Sequence, residues 1–192
     1  MIAKEINQKT KVAFYFDRSA LAKIYAPVII ELLNRNFEVF FVCGPKPHTS
    51  WPDNPGYRPL KENIKVPFID KIKFIYFDEF REVEHMLVEK GITDLFIVHA
   101  INEELESLIK KIKKSRLKIS CIQWAADYLV ITPDKLKIID NLFVHSSEMK
   151  KIYFRHFPEA SREELDSKFI SVGNPIFDCL KENRTKLDCL RK

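Results

Sequence analysis

The sequence predicts an α/β domain with a doubly wound, mostly parallel sheet and helices on both faces. Short apolar runs alternate with helical patterns along the whole chain, which is the element order of a parallel sheet. Several of these runs are almost continuously apolar, as expected for strands covered on both faces. The chain has 192 residues, enough for one domain or for one large half of a two-domain enzyme.

The apolar runs are rich in β-branched and aromatic residues and are short, which is typical of buried strands. Right-handed crossovers between them give a doubly wound sheet. The predicted strands are residues 11–16, 37–43, 73–77, 95–99, 117–123, 141–145 and 169–172.

The first predicted helix covers residues 20–33, and Pro27 predicts a kink in it. Asp78 is a predicted cap of the helix after the third strand, and Gly91 is its predicted stop. Asn102 is predicted to cap a helix whose apolar stripe is Leu105, Leu108, Ile109 and Ile112.

Residues 129–138 are predicted to be irregular. Ser146 or Ser147 is predicted to cap the helix after the sixth strand. Residues 161–164 match a capping box for a further helix.

A proline-rich segment over residues 45–67 follows the second strand. A stretch of this length without secondary structure is usually a binding loop or disordered. We expect a mobile loop at the mouth of a cleft, with Trp51 and Arg58 contacting a sugar or a lipid phosphate.

Charge and composition limit the classes of partner. The net charge is +5, and much of it lies in one basic segment, residues 110–118. It is interpreted as a solvated helix end, with weak attraction to an anionic membrane surface as the alternative. No nucleic-acid recognition motif accompanies the segment, so nucleic acid is not an expected partner.

Neither a signal peptide nor an apolar run of membrane-spanning length is visible. No C-x-x-C pair occurs, and Cys43 and Cys121 lie in apolar runs. These features suit a cytoplasmic protein, peripheral at most to the inner face of the membrane.

Polar residues follow several predicted strands. In an open parallel sheet, ligands bind outside the carboxyl ends of the strands. Asp17 and His99 are therefore candidate catalytic bases, although helix capping or a strand-end hydrogen bond would explain either residue equally. The candidate substrate-binding residues are Arg18, Ser19, Trp51, Arg58, Gln123, Asp127 and Ser146.

Known cofactor motifs are missing. The sequence has neither G-x-G-x-x-G nor G-x-x-x-x-G-K-[ST], and no G-x-S-x-G. No His, Asp or Glu cluster has metal-ligand spacing. We therefore expect no metal, no resident cofactor and no nucleotide site within these residues.

Four segments occur in an order that resembles the second half of the N-terminal domain of GT-B enzymes. They are 94–99 (DLFIVH), 119–127 (ISCIQWAAD), 140–147 (DNLFVHSS) and 169–178 (FISVGNPIFD). Residues 22–27 (AKIYAP) also resemble the first helix of UDP-N-acetylglucosamine 2-epimerases. The families that the four segments resemble are these epimerases and related glycosyltransferases, with CDP-glycerol glycerophosphotransferases as looser relatives.

This resemblance implies an acceptor-side domain over residues 1–178, with 179–192 as a tail or the start of an interdomain linker. The acceptor would be a sugar or a lipid-linked sugar. The nucleotide-sugar donor would bind mainly to a C-terminal domain that this chain lacks. The isolated chain would then be inactive and would bind nucleotide sugars weakly or not at all.

Two departures bear on the reaction. Ile101 and Gln123 stand where the epimerases carry acidic residues, and neither side chain can take a proton from a sugar carbon. The resemblance therefore favours a glycosyl- or glycerophosphotransferase. An epimerase-like protein and a non-catalytic flavodoxin-like binding module remain the alternatives.

Overall fold

A single parallel sheet organises the molecule. The computed structural model describes residues 9–16, 21–44, 61–98, 101–123 and 131–173. The strands within these ranges are β1 Lys11–Phe16, β2 Glu38–Cys43, β3 Lys73–Tyr76, β4 Asp94–Val98, β5 Lys118–Ile122, β6 Asn141–Val144 and β7 Phe169–Ser171. Their order in the sheet is β3-β2-β1-β4-β5-β6-β7, and every neighbouring pair is parallel.

Helices connect the strands and cover both faces. They are α1 Leu21–Ile24, α2 Ala26–Asn34, α3 Phe80–Glu89, α4 Glu103–Ile112, α5 Pro133–Ile138, α6 Ser147–His156 and α7 Arg162–Leu165. The chain builds the sheet outward from β1 to β3, returns to the centre through α3, and then builds outward from β4 to β7. The predicted doubly wound α/β class is confirmed.

Side chains of successive strand residues enter two separate cores, because a strand alternates its faces. In β1, Phe14 and Phe16 join the core under α1 and α2, whereas Ala13 and Tyr15 join the core under α3 to α7. Phe14 stacks on Phe96 of the neighbouring strand, with ring centroids 4.9 Å apart. Both faces are therefore apolar, which explains the continuous apolar runs in the sequence.

The first predicted helix is divided in two. Pro27 lies in the first turn of α2, and the break falls at Tyr25, between α1 and α2. Tyr25 N still donates to Leu21 O at 3.0 Å, and Tyr25 O accepts from Ile29 N at 2.9 Å. A proline ring clashes with the backbone preceding it, so the disruption appears before Pro27 and not at it.

The prediction that residues 129–138 are irregular is wrong for α5. Thr132 occupies the N-cap position in extended conformation, Pro133 begins the helix, and Asp134 lies in its first turn. Proline at the first helical position and an acidic residue in the first turn are both favourable. The Thr-Pro-Asp sequence was therefore the signal for this helix.

The predicted caps are confirmed in part. Asn102 Oδ1 accepts a hydrogen bond from Leu105 N at 2.8 Å, and Gly91 follows α3 with φ +66°. Ser161 Oγ accepts from Glu164 N at 3.3 Å. Asp78 is not the cap of α3: Glu79 holds the N-cap position, and its side chain makes no capping bond to the helix that follows.

The proline-rich segment predicted as a loop over 45–67 is described only from residue 61. There the chain forms short 3-10 turns and buries Ile64, Val66 and Phe68 in the core beside α1 and α2. Residues 64–66 have no regular secondary structure, as the loop prediction requires. However, Ile64 and Val66 are buried in a core, which argues against a mobile loop at the mouth of a cleft over these residues. Trp51 and Arg58 lie outside the described residues.

Cys43 and Cys121 are both buried and form no disulfide, as predicted. Burial raises the pKa of the Cys121 thiol. No helix in the described ranges combines the length and the apolar character needed to cross a membrane.

Candidate functional site

The strand order reverses between β1 and β4, and this marks the edge where ligands bind in open α/β sheets. Chains running to the two sides separate there and leave a crevice beyond the carboxyl ends. The predicted residues Asp17, Arg18 and Ser19 follow β1, and His99 follows β4. These four residues and Asp127 lie outside the described residues, so their roles stay predictions.

Gln123 follows β5 and is 1% exposed. Its backbone N–H donates to Phe143 O at 3.0 Å, and its Oε1 accepts from His145 N at 3.3 Å. The amide therefore ties the carboxyl ends of β5 and β6 together. This positioning contact accounts for a buried polar side chain, and the predicted role of Gln123 in substrate binding stays a prediction.

Ser146 is the N-cap residue of α6 and is half-buried. Its backbone is extended, as a cap requires, but its hydroxyl makes no capping bond to the described first turn of α6. The structure thus confirms its place at the helix N-terminus at the carboxyl edge. The predicted role of Ser146 in substrate binding stays a prediction.

A groove of about 650 Å³ opens at the carboxyl edge beside β1, between α3 and α4. This volume lies in the range of small-molecule sites, about 300–1,000 Å³. Its described lining residues are Tyr15, Gly44, Asp78, Glu79, Phe80, Arg81, Glu104, Ser107, Leu108 and Lys111. We refer to it as the α3–α4 groove.

Aromatic side chains form the base of the α3–α4 groove. The ring of Tyr15 lies 6.3 Å from that of Phe77 and 6.1 Å from that of Phe80, between centroids. Phe77 and Phe80 meet edge to face at 5.1 Å. Such contacts fix ring positions, so the base of the groove is rigid and largely apolar.

Gly44 is required by close packing at this base. A Cβ added to Gly44 would lie 2.8 Å from Cζ of Phe77. Phe77 is itself 2% exposed, and its N–H donates to Cys43 O at 3.3 Å. The ring therefore has little room to retreat, and only glycine lets β2 end against it.

The walls of the groove come from two helices that pack together. The turn before α3 and its first residues supply Asp78, Glu79 and Arg81. From α4 come Glu104, Ser107, Leu108 and Lys111, whose spacing of three and four residues places them on one helix face. This polar stripe adjoins the apolar stripe that anchors α4 to the sheet.

Both cations of the groove are engaged by carboxylates. Arg81 Nε lies 2.5 Å from Glu79 Oε2, and Lys111 Nζ lies 3.3 Å from Glu84 Oε2. Lys111 also donates to Arg81 O at 3.1 Å, which joins α4 to α3. A hydrogen bond from Ser115, followed by Lys111, holds the pKa of Glu84 below its ordinary value.

Sequence reasoning did not identify the α3–α4 groove as a site. Asp78 was noted only as a predicted helix cap. The available signals were the cluster Asp78, Glu79 and Arg81 at a strand end, and a polar stripe beside the apolar stripe of α4. In the described ranges, no three His, Cys, Asp or Glu side chains are arranged to hold a metal ion.

Comparison with solved structures identifies proteins of similar fold. A protein assigned as a UDP-N-acetylglucosamine 2-epimerase from Listeria monocytogenes superposes with a TM-score of 0.59 at 13% identity, over 91% of this chain and 47% of that one. The lipopolysaccharide outer core galactosyltransferase WaaB gives 0.50 at 14% identity, over 85% and 45%. This chain thus spans about half the length of each.

A short-chain dehydrogenase/reductase from Veillonella parvula in complex with NADP also gives a TM-score of 0.50, at 10% identity, over 88% of this chain and 96% of that one. No protein-family model matches the sequence, and no curated protein matches it. At these identities the likeness concerns the fold alone. The chain therefore has a Rossmann-like fold that resembles one half of GT-B enzymes and also a dehydrogenase.

Proposed function

We propose that this chain is the acceptor-binding half of a transferase that uses a nucleotide-activated sugar or glycerol phosphate. The observation that carries the proposal is the coverage of the two-domain structures. Nearly the whole chain superposes on about half of the epimerase and of the galactosyltransferase. The motifs described above resemble the N-terminal half, which in GT-B enzymes is the acceptor side, whereas the donor binds mainly to the other half.

The dehydrogenase likeness makes dinucleotide binding the competing function. A Rossmann dinucleotide site needs glycines directly after the first strand, so that the pyrophosphate can approach the backbone. Here β1 is followed by Asp17-Arg18-Ser19-Ala20, and the sequence holds only four glycines in total. The residues after β1 therefore favour the transferase over a dinucleotide enzyme.

The epimerase alternative is disfavoured by two buried residues. Ile101 is 2% exposed and belongs to the core under α3 to α7. Gln123 is engaged with the backbone of β6, as described above. Neither residue can serve as the acid or base that epimerisation at a sugar carbon needs.

In the proposed transferase, Asp17 or His99 acts as the base that deprotonates the acceptor hydroxyl. Phe14 of β1 lies opposite Phe96 of β4 in the register of the two strands, and each candidate follows three positions later in the sequence. The carboxyl ends of neighbouring parallel strands meet at one edge of the sheet. The proposal therefore assigns both candidates to one crevice.

The test is a transfer assay on the polypeptide that the native gene encodes, with UDP-, CDP- and GDP-activated donors. Asp17→Asn or His99→Ala should lower turnover by about 10²–10⁴-fold if that residue is the base. Donor affinity should be almost unchanged, because the donor binds mainly to the other half. Near wild-type turnover of both variants would remove both residues from catalysis.

The competing function is tested on the present chain by calorimetric titration with the same nucleotide sugars and with NAD and NADP. The proposal expects negligible binding of all of them. Micromolar binding of NADP would favour a dinucleotide enzyme and contradict the proposal. Micromolar binding of a nucleotide sugar would show that the donor site lies within these residues.

A further inference from the structure

Strands β4 to β7 have one face over which the described residues place no helix. The buried side chains of α3 to α7 all belong to the core on the opposite face, which includes Leu95 of β4 and Leu142 of β6. Helices α1 and α2 connect β1 to β2 and lie over them: the ring of Tyr25 lies 5.7 Å from that of Phe14 and 5.8 Å from that of Phe16. The described helices on this side of the sheet therefore belong to β1 and β2, and none connects β4 to β7.

The uncovered side of β4 to β7 is apolar. Side chains alternate along a strand, and the strand neighbours of Phe96, Ile122, Phe143 and Ile170 pack in the opposite core, so these four point the other way. Ile122, Phe143 and Ile170 lie side by side in the register of β5, β6 and β7. The rings of Phe96 and Phe143 lie 6.2 Å apart. We refer to these four side chains as the β4–β7 face.

The β4–β7 face needs a covering element, because parallel sheets occur almost only with both faces covered. Phe96, Phe143 and Ile170 are partly buried, and Ile122 is 8% exposed. The burial of Ile122 without a described helix above β5 favours a covering element from the same chain over a partner protein.

Internal connections outside the described residues do not suit this role. Three of them have at most seven residues, namely 17–20, 99–100 and 124–130. The longer connection, 45–60, joins β2 to Lys61, whose N–H donates to the hydroxyl of Tyr76 in the edge strand β3 at 3.1 Å. It therefore belongs to the far side of the sheet.

Residues 174–192 have both the position and the length, since they follow β7 at the border of the face. A helix over 175–191 would be about 26 Å long, against roughly 14 Å across four neighbouring strands. Residues 1–8 would span only about 12 Å as a helix.

The sequence of this segment predicts an amphipathic helix. Asn174 is a favourable N-cap, and Pro175 is a favourable first helical residue. At about 100° per residue, four apolar side chains fall within about 80° of the helix circumference: Ile176, Leu180, Leu187 and Leu190. Charged residues occupy the opposite side: Asp178, Lys181, Glu182, Asp188 and Lys192.

We propose that residues 175–191 form this helix and cover the β4–β7 face with the stripe from Ile176 to Leu190. A connection that runs back from β7 toward β1 on this face has the same hand as the connection from β1 through α2 to β2. The domain then extends through Leu190 and does not end at residue 178. This inference does not rest on the proposed function, because it concerns how the chain completes its own core.

The experiment is NMR on the full 192-residue chain with labelled methyl and aromatic groups. The methyl groups of Leu180 and Leu187 should give NOEs to the rings of Phe96 and Phe143. The amides of residues 178–190 should be protected from hydrogen exchange. A mixture of differently labelled chains separates contacts within one chain from contacts between two, and none of these measurements needs a variant.

Leu187→Asp is the test variant, and Thr185→Asp is its matched control, since both add a carboxylate to one helical turn but on opposite sides. Leu187→Asp should remove the NOEs and lower the midpoint of thermal unfolding by about 5–10 °C, because an unpaired charge is costly to bury. Thr185→Asp should change neither quantity. From the sheet side, Phe143→Ala should speed amide exchange in 178–190 at least about tenfold, whereas Ile152→Ala, at a 41% exposed position of α6, should not.

Three results would overturn the inference: unprotected amides over residues 178–190, NOEs that arise only between two chains, or a Leu187→Asp protein as stable as Thr185→Asp. Unprotected amides would mean that another element covers the face, and NOEs between chains would mean that a second copy supplies the segment. None of these results changes the outcome of the transfer assay, so the proposed function is judged separately.

Discussion

The amino ends and the carboxyl ends of the strands, called here the amino edge and the carboxyl edge of the sheet, use charged residues in different ways. At the amino edge, charged side chains bind the backbone: Lys11 Nζ donates to Lys90 O at 2.7 Å, and Asp140 Oδ2 accepts from Ile119 N at 2.8 Å. Lys168 donates to the carbonyls of Lys137 and Ile139, which precede β6. At the carboxyl edge, Asp78 and Glu104 line the α3–α4 groove, and Gly44 packs against the ring of Phe77 at its base.

The difference separates two sources of stability. A charged side chain that satisfies a buried backbone group removes a desolvation penalty, so its substitution should weaken folding. At the carboxyl ends of the strands the requirement is close packing, because the ring of Phe77 lies against Gly44, so an added side-chain atom should weaken folding through overpacking. Four predictions test this separation, ordered by expected effect.

The largest effect on stability is expected at Gly44. Gly44→Ala places a Cβ against the ring of Phe77 and should cost about 1–3 kcal/mol of unfolding free energy through overpacking. Chemical denaturation measures this loss.

Gly173→Ala is the control for Gly44. Gly173 has φ +77°, but nothing lies within 4 Å of an added Cβ. Its substitution should therefore show only backbone strain of about 1 kcal/mol. A Gly44→Ala protein as stable as the wild type would mean that Phe77 can move, and that the base of the groove is not rigid.

At the amino edge, Asp140→Ala should lower the unfolding free energy by about 1–3 kcal/mol, because it leaves the N–H of fully buried Ile119 without its side-chain acceptor. Asp70→Ala is the control, since Asp70 makes only an exposed ion pair with Lys61 at 2.9 Å, worth less than about 1 kcal/mol. Chemical denaturation measures both variants. An Asp140→Ala protein as stable as Asp70→Ala would mean that the carboxylate of Asp140 is not needed by the N–H of Ile119.

Ser115→Ala should cost about 1 kcal/mol at pH 7, since Ser115 Oγ donates to Glu84 Oε1 at 2.5 Å. This bond is the leading cause that lowers the pKa of Glu84. A depressed carboxyl pKa gives stability that is present above the ordinary value, about 4.3, and is lost as pH falls through the folded value. The difference between wild type and variant should therefore disappear in acid.

Denaturation at several pH values between about 3 and 7 measures this loss. Ser107→Ala is the control, because Ser107 is not among the groups that lower the pKa of Glu84, and it is expected to show no such pH dependence. A Ser115→Ala deficit that stayed constant down to pH 3 would mean that the hydroxyl acts through packing and not through the carboxylate.

The smallest effect is expected for membrane attraction by the basic segment 110–118. Lys110 lies 2.6 Å from Glu106, Lys111 lies 3.3 Å from Glu84, and Lys113 lies 3.8 Å from Asp140. Their charge is thus partly neutralised within the protein. Co-sedimentation with phosphatidylserine vesicles should be weak at low salt and absent at physiological salt. Binding that persists in high salt would contradict this interpretation.

The sequence by itself determined the fold class. Strands buried on both faces are almost continuously apolar, and such runs can be recognised in the sequence without a structure. It also determined the Asn102 cap and the Gly91 stop, which rest on local hydrogen bonding and backbone conformation. The break in the first helix is also encoded locally, by Pro27, although the predicted kink was placed two residues after the observed break at Tyr25. The helix after Thr132 is encoded by its Thr-Pro-Asp start, but the prediction missed it.

The tertiary structure alone decided the α3–α4 groove. Tyr15, Gly44, Asp78 and Glu104 come from four separate segments of the chain, and no local pattern relates them. They meet because the chain returns from the edge strand β3 to the centre through α3, which brings the start of α3 beside α4 and over the ends of β1 and β2. Residue spacing fixes which side chains share a helix face, but only the packing of one helix against another fixes which faces enclose a site.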